Sequence, residues 1–267
     1  MKDTLQWYLE MGVDETIDEV ATNRFAQKPP VQTAQPVSNT EKIISNFKSN
    51  IDMAKKVQSP SSLALETRKT ADACENLEQL EKAVREFKGM SVTKTATNVV
   101  FCDGQKDAEI MLIGEAPGAD EDANGIPFCG ASGKMLDQML SFIDLSRQKN
   151  FYITNTLFWR PPGNRRPTPE ELSVCLPFVE KHIALVKPKL IILIGGTAVN
   201  SILDSKEAIT KLRGKYYDYE NRYLESPIKT TVIFHPSYLL RSPGQKQHAW
   251  KDCLKLREYI EEEKIAV

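Results

Sequence analysis

An acidic loop, an amide and an imidazole stand at the ends of four short apolar runs in this chain of 267 residues. Residues 109–114 (EIMLIG) lead into Gly114-Glu115-Ala116-Pro117-Gly118-Ala119-Asp120-Glu121-Asp122. Residues 151–155 (FYITN) end at Asn155, 190–195 (LIILIG) run into Gly195-Gly196, and 230–235 (TTVIFH) end at His235-Pro236. A carboxylate activates water or faces a developing cation, an amide presents a donor and an acceptor side by side, and an imidazole holds a donor at a fixed place. Gathered at one place, these groups suit a pocket for a small molecule or a single base.

The elements that must gather them are legible as pattern. The four runs read as β-strands, and helical segments lie between them. Residues 132–144 carry Met135, Met139 and Ile143 on one face with Leu136 and Leu140 beside them. Thr168-Pro169-Glu170-Glu171 is a helix start, with a Thr cap, Pro at the first position and Glu three residues after the cap. Strands alternating with helices imply βαβ crossovers. The predicted fold is α/β: three α/β/α layers around a central, mainly parallel four-stranded sheet, with both faces covered. In such sheets ligands bind beyond the carboxyl ends of the strands, which is where the acidic loop, Asn155 and His235 fall.

The N-terminal quarter reads differently. Leu5, Tyr8 and Leu9 suggest a helix within 3–20, a polar stretch over 24–40 holds Pro29, Pro30 and Pro36, and Ile43, Phe47 and Ile51 repeat at helical spacing. After Ser59-Pro60-Ser61-Ser62, the residues Leu77, Leu80, Val84 and Phe87 mark a further helix. The predicted division is a helical and linker appendage over 1–70, partly disordered, followed by the main domain over 71–267. Apolar residues make up 41% and charged residues 27%, as in an ordinary globular protein. No apolar run reaches the roughly 18 residues of a membrane span, and MKDTLQWYLEMGVDE lacks the features of a signal peptide. A cytoplasmic protein without membrane contact is expected. With 35 basic and 36 acidic residues, net charge does not decide about nucleic acid, since phosphate contacts need only a local basic face. The five cysteines are odd in number and never form a CxxC pair, which argues against a disulfide framework.

Four blocks, GEAPGADED, PFCGASGKMLDQML, YITNTLFWRPPGNRRPTPEE and HPSYLLR, occur in this order. Together they resemble the family 4 uracil-DNA glycosylases over about residues 87–257. The resemblance implies a hydrolase that cuts the N-glycosidic bond of deoxyuridine in DNA, releases uracil and leaves an abasic site for base excision repair. It implies a monomer acting on uracil-containing DNA, with repair or replication partners unspecified. The alternatives are a DNA-binding or repair-partner protein of the same fold with weakened catalysis, and a related hydrolase acting on another small substrate. Such an enzyme must extrude its base from the stack and read it in a pocket. By resemblance, Phe128 stacks on the uracil ring, Asn155 reads its edge, and His235 faces O2, where charge collects as the bond breaks. Main-chain N–H groups near Glu115 and Ala116 reach toward the same oxygen. In another branch of the superfamily an aspartate activates water where this chain has Ala116, so Glu115, Glu121 and Asp122 all stand as candidates for that task, Glu121 also as an opponent of thymine's methyl. Leu239 or Leu240 is placed to fill the gap left by the extruded nucleotide, with Arg241 on a phosphate. Arg160, Asn164, Arg165 and Arg166 form a basic loop for the opposite side. His182 and His248 read as structural.

Family members hold an iron–sulfur cluster with four cysteines. At those places this chain has Phe87, Met90, Trp159 and Cys175. One thiolate cannot hold a cluster, and Cys175 shares a helix stripe with Leu172 and Val179, so neither metal nor cofactor is expected. Cys74 and Cys102 do not fit the ligand spacing.

Overall fold

Strand β2 (Ile110–Gly114), β3 (Phe151–Asn155), β4 (Leu190–Ile194) and β6 (Ile228–Ile233) supply the parallel centre of the sheet in this computed structural model, which describes residues 60–266. All described residues belong to the second of two compact units of the chain, 56–267. The features expected over 3–51 lie outside the described residues.

Strand β1 (Asp103–Gly104) pairs antiparallel with β3, and β5 (Tyr216–Tyr219) pairs antiparallel with β6. The sheet therefore has six strands in the order β1-β3-β2-β4-β6-β5, not the four expected. The two additional strands are the edges. β1 has two residues and no apolar run, and β5 is largely half-exposed, so neither carries the buried-strand signature of the other four.

Helices α1 (Pro60–Asp72), α2 (Leu77–Glu86) and α3 (Val92–Thr95) precede the sheet. Helices α4 (Ala119–Asn124) and α5 (Ala131–Ser141) follow β2, α6 (Pro169–Val186) follows β3, and α7 (Gly196–Leu203) and α8 (Ile209–Leu212) follow β4. Helices α9 (Pro236–Arg241) and α10 (Lys246–Glu262) close the chain after β6. Because side chains alternate along a strand, Met111, Ile113, Tyr152, Ile191, Leu193 and Val232 enter one core, with α1, α2, α6 and α7. Ile110, Leu112, Ile153, Leu190 and Ile192 enter the other, with α5 and α10. These are the expected three layers. Each fully buried aliphatic side chain contributes roughly 1.5–3 kcal/mol.

The predicted start of α6 is present: Thr168 Oγ1 accepts Glu171 N at 3.2 Å, and Glu171 Oε2 accepts Thr168 N at 2.9 Å. Helix α1 lies against α6, with Thr67 Oγ1 donating to Val174 O at 2.8 Å and Arg68 pairing with Glu180 at 2.9 Å. Among the described residues no helix is long and apolar enough to cross a membrane.

Candidate functional site

The carboxyl ends of the parallel strands open into one cleft of about 940 Å³. Glu115, Ala116, Phe128, Asn155 and His235 all line it. Sheet register makes part of this convergence: Gly114 and Asn155 are directly paired across β2 and β3. Gly114 is held to glycine by close approach, since a Cβ there would lie 2.4 Å from Phe128 Cζ and 2.5 Å from Asn155 Oδ1. The ring and the amide thus close over a bare backbone.

Asn155 is 1% exposed, and its Oδ1 has no hydrogen-bond partner. An unsatisfied buried polar atom costs roughly 1–3 kcal/mol, so this acceptor is held ready for a donor that the protein itself does not supply. The Phe128 ring centroid lies 6.0 Å from that of His235.

His235 caps α9. Its Nδ1 accepts the Ser237 main-chain N–H at 3.2 Å and lies 2.8 Å from Ser237 Oγ. A main-chain N–H can only donate, so Nδ1 keeps its lone pair and the neutral ring carries its proton on Nε2. Burial pushes the pKa of His235 below its ordinary value; Glu115 nearby works against this and Arg241 works with it. The result is a neutral imidazole with an N–H donor left for the cleft.

The three carboxylates singled out in the sequence separate by their partners. Glu121 binds structure with both oxygens, accepting Gly118 N at 3.0 Å and Gly130 N at 2.9 Å, and so ties the acidic loop to the start of α5. Asp122 is buried outside the cleft lining, and its Oδ1 accepts Thr97 N at 2.8 Å and Asn98 N at 3.1 Å. Glu115 lines the cleft, and only its main-chain carbonyl is taken up, accepting Thr156 Oγ1 at 2.7 Å and Leu157 N at 3.1 Å.

On the rim, Asn164, Arg165, Arg166 and Arg241 line the cleft, whereas Arg160, Leu239 and Leu240 do not. Arg160 Nε donates to Asn164 Oδ1 at 2.7 Å. Arg165 forms a bidentate pair with Glu171 at 2.9 and 2.6 Å, so its charge is already answered within the protein. Leu239 is fully buried beside Phe234 and Ala249, while Leu240 is 45% exposed. Only Leu240 of the two leucines faces solvent. His182, also fully buried, stacks on Phe101 at 4.4 Å and bonds Tyr152 OH at 2.7 Å, and His248 lies in α10.

The places of the family's cluster cysteines form an apolar plug. The rings of Phe87 and Trp159 are 5.8 Å apart, and Phe178 is 5.9 Å from Phe87. Met90 and Cys175 are buried in the same core, and burial pushes the Cys175 thiol well above its ordinary pKa, away from a thiolate ligand. Cys74 donates to Thr70 O at 3.2 Å. Among the described residues no three His, Cys, Asp or Glu side chains are grouped to hold a metal ion, so these residues do not fit a cluster.

Sequence reasoning passed over Arg147, whose guanidinium binds the carbonyls of Pro127 and Phe128. Nothing in the polar run Ser146-Arg147-Gln148-Lys149 marks it out, because two of its partners are main-chain carbonyls and the other two, Asp103 and Asp137, lie on separate elements.

Fold and cleft together define an α/β protein with a ligand site at the carboxyl edge of its sheet. Residues 101–256 match the uracil DNA glycosylase superfamily. The chain is 36% identical to a type-4 uracil-DNA glycosylase of Archaeoglobus fulgidus over 69% of its own length and 93% of that protein. It is 35% identical to one from Sulfurisphaera tokodaii, over 69% and 84% of the two chains, and 34% identical to one from Thermotoga maritima, over 71% and 97%. This chain belongs to the uracil DNA glycosylase superfamily, in its type-4 branch.

Proposed function

We propose that the protein is a uracil-DNA glycosylase that hydrolyses the N-glycosidic bond of deoxyuridine in DNA, leaving an abasic site for base excision repair. The observation that carries this reading is the pair of opposite, waiting groups in the cleft: the partnerless acceptor Asn155 Oδ1 and the neutral donor His235. A uracil flipped into the cleft has N3–H for that acceptor and O4 for the amide N–H of Asn155, while its ring lies on Phe128. Cytosine offers the reverse pattern and leaves both Asn155 groups unmatched in this orientation, so discrimination requires that the amide be kept from turning over.

His235 acts on the leaving group. As the bond to C1′ breaks, the electron pair moves onto the base and negative charge gathers at O2. An N–H donor fixed there, joined by main-chain N–H groups at Glu115 and Ala116, strengthens as that charge grows and lowers the barrier more than it tightens binding. The sugar is left as an oxocarbenium ion. Glu115 is the carboxylate free to face that cation or to take a proton from the attacking water, whose oxygen becomes the C1′ hydroxyl. Glu121 and Asp122 serve by shaping the loop.

Arg166, Arg241 and Arg160 supply the local basic face for phosphates, and Leu240 is the side chain available to fill the stack. The reading includes a single chain working in the cytoplasm without metal or cofactor, because the residues at the cluster positions supply packing and not ligands. The test is an excision assay on end-labelled strands carrying U·G, U·A, T·G or a lone U, followed by alkali. Strand breakage at uracil and none at thymine is expected. Intact uracil strands with retained DNA binding would replace the enzyme by a DNA-binding protein of the same fold.

A further inference from the structure

Phe128 has a backbone φ of 53°, a left-handed conformation disfavoured for any residue with a Cβ. The aromatic floor of the cleft is therefore in a backbone state that something else must hold. Two tight approaches help: Gly114 lies beneath the ring edge, and a Cβ on Gly133 would fall 1.7 Å from Phe128 O. The active restraint is Arg147. Its Nη2 donates to Phe128 O at 2.9 Å and its Nη1 to Pro127 O at 3.0 Å, so one guanidinium holds two successive carbonyls. The same group pairs with Asp103 on β1 at 2.8 Å and Asp137 on α5 at 2.9 Å, and its side chain is only 10% exposed. Two carboxylates balance its charge and its side chain is largely buried, so it is not a phosphate contact. A planar fork suits this task as a point-like ammonium does not.

We propose that Arg147 is a positioning residue for base capture: it locks the Pro127–Phe128 backbone so that the stacking ring stands preset beside Asn155 before DNA arrives. The proposal rests on the reading of Phe128 as the platform for the flipped base. Preorganisation of this kind acts on rate because small misplacements of a positioning group are expensive.

A double-mutant cycle tests it. Arg147→Lys keeps a cation between Asp103 and Asp137 but loses the two-carbonyl fork. Single-turnover uracil excision from a U·G duplex, with protein in excess over DNA but below saturation, should fall roughly 10- to 100-fold in Arg147→Lys. Arg147→Lys combined with Phe128→Ala should be no slower than Phe128→Ala alone, because the clamp acts through the ring it holds. Losses that add in full would overturn the proposal and leave Arg147 as a fastener of β1 to α5. A second readout needs no catalysis. In protein labelled with 4-fluorophenylalanine, the fluorine resonance missing from Phe128→Leu identifies Phe128, and it should shift or broaden in Arg147→Lys. An unchanged resonance would sink the clamp even in a protein that excises nothing, whereas a wild-type protein that excises nothing while this resonance moves would sink only the proposed activity.

Discussion

Two regions at the end of β3 stand four residues apart and are built on opposite terms. At Asn155 the chain keeps a buried acceptor without a partner, next to a backbone-strained Phe128 and a half-buried imidazole. At Trp159 the chain fills the family's cluster place with Phe87, Met90, Trp159 and Cys175, joined by the ring of Phe178. The first region holds polar groups away from their own best partners, so that they remain available to a ligand. The second has exchanged ligand chemistry for volume. Trp159 Nε1 and His182 Nδ1 are also buried without a partner, so an orphaned atom marks a ligand site only where, as at Asn155, it belongs to a residue lining a cleft.

The sharpest way to break this contrast is to truncate each side and measure both stability and rate. Trp159→Ala should lower the unfolding free energy by about 3–5 kcal/mol, read from denaturant midpoints, because a large ring leaves a cavity. Its single-turnover rate under folding conditions should stay within a few-fold of wild type. His235→Ala should do the reverse. Excision should slow by about 10²–10³, or roughly 3–4 kcal/mol in the barrier, with stability altered by no more than about 1 kcal/mol. A His235→Ala protein that excises at near wild-type rate would take the imidazole out of the mechanism.

Asn155→Ala sharpens the contrast further. It removes both halves of base recognition, so excision should fall by about tenfold or more, the scale of two lost hydrogen bonds at about 0.5–1.5 kcal/mol each. The melting temperature should hold or rise, since the partnerless oxygen goes with the side chain. A clear loss of stability would show that Asn155 is paid for by the fold and not by a ligand.

Acid offers a milder test on the plug side. Burial pushes His182 from 6.5 down to about 3. Below pH 6.5 the unfolded chain takes up a proton that the folded chain refuses until about pH 3, so stability contributed by neutral His182 is lost progressively as pH falls through that window. His182→Gln should flatten the pH dependence of the denaturant midpoint there by about one proton. The smallest expected effect is chelation. Treatment with a strong iron chelator should change neither colour nor excision rate, and about four irons per chain with visible absorbance would show that the plug is no substitute.

Most of the frame was legible because buried parallel strands are near-continuous apolar runs. Residues 109–114 and 151–155 fall on β2 and β3 with almost no shift. The edges were hidden: Asp103-Gly104 carries no hydrophobic signal, and Tyr216-Tyr217-Asp218-Tyr219 reads as easily as a polar loop. In the site, the strand ends pointed to Asn155 and His235 and the family resemblance to Phe128, while helix phase decided what residue type could not. Leu239 and Leu240 are chemically the same, and one turns into the core. Asp122 and Glu121 were indistinguishable from Glu115 until their main-chain partners were visible. Arg147 was hidden for the same reason, since a carbonyl acceptor has no letter in the sequence.

The parallel register has a kinetic consequence. Gly114 faces Asn155 across β2 and β3, Ile194 faces Ile233 across β4 and β6, and the cleft they open into is lined from Glu115 to His235, positions more than a hundred residues apart. Each parallel pairing must wait for its crossover to close, and a slip of one residue would turn Asn155 to the other face of the sheet. No early hairpin or local helix pair contains enough of the cleft to bind a base. Regain of excision after dilution from denaturant should therefore lag behind regain of helical signal, making base removal a clock for the last strand to find its register.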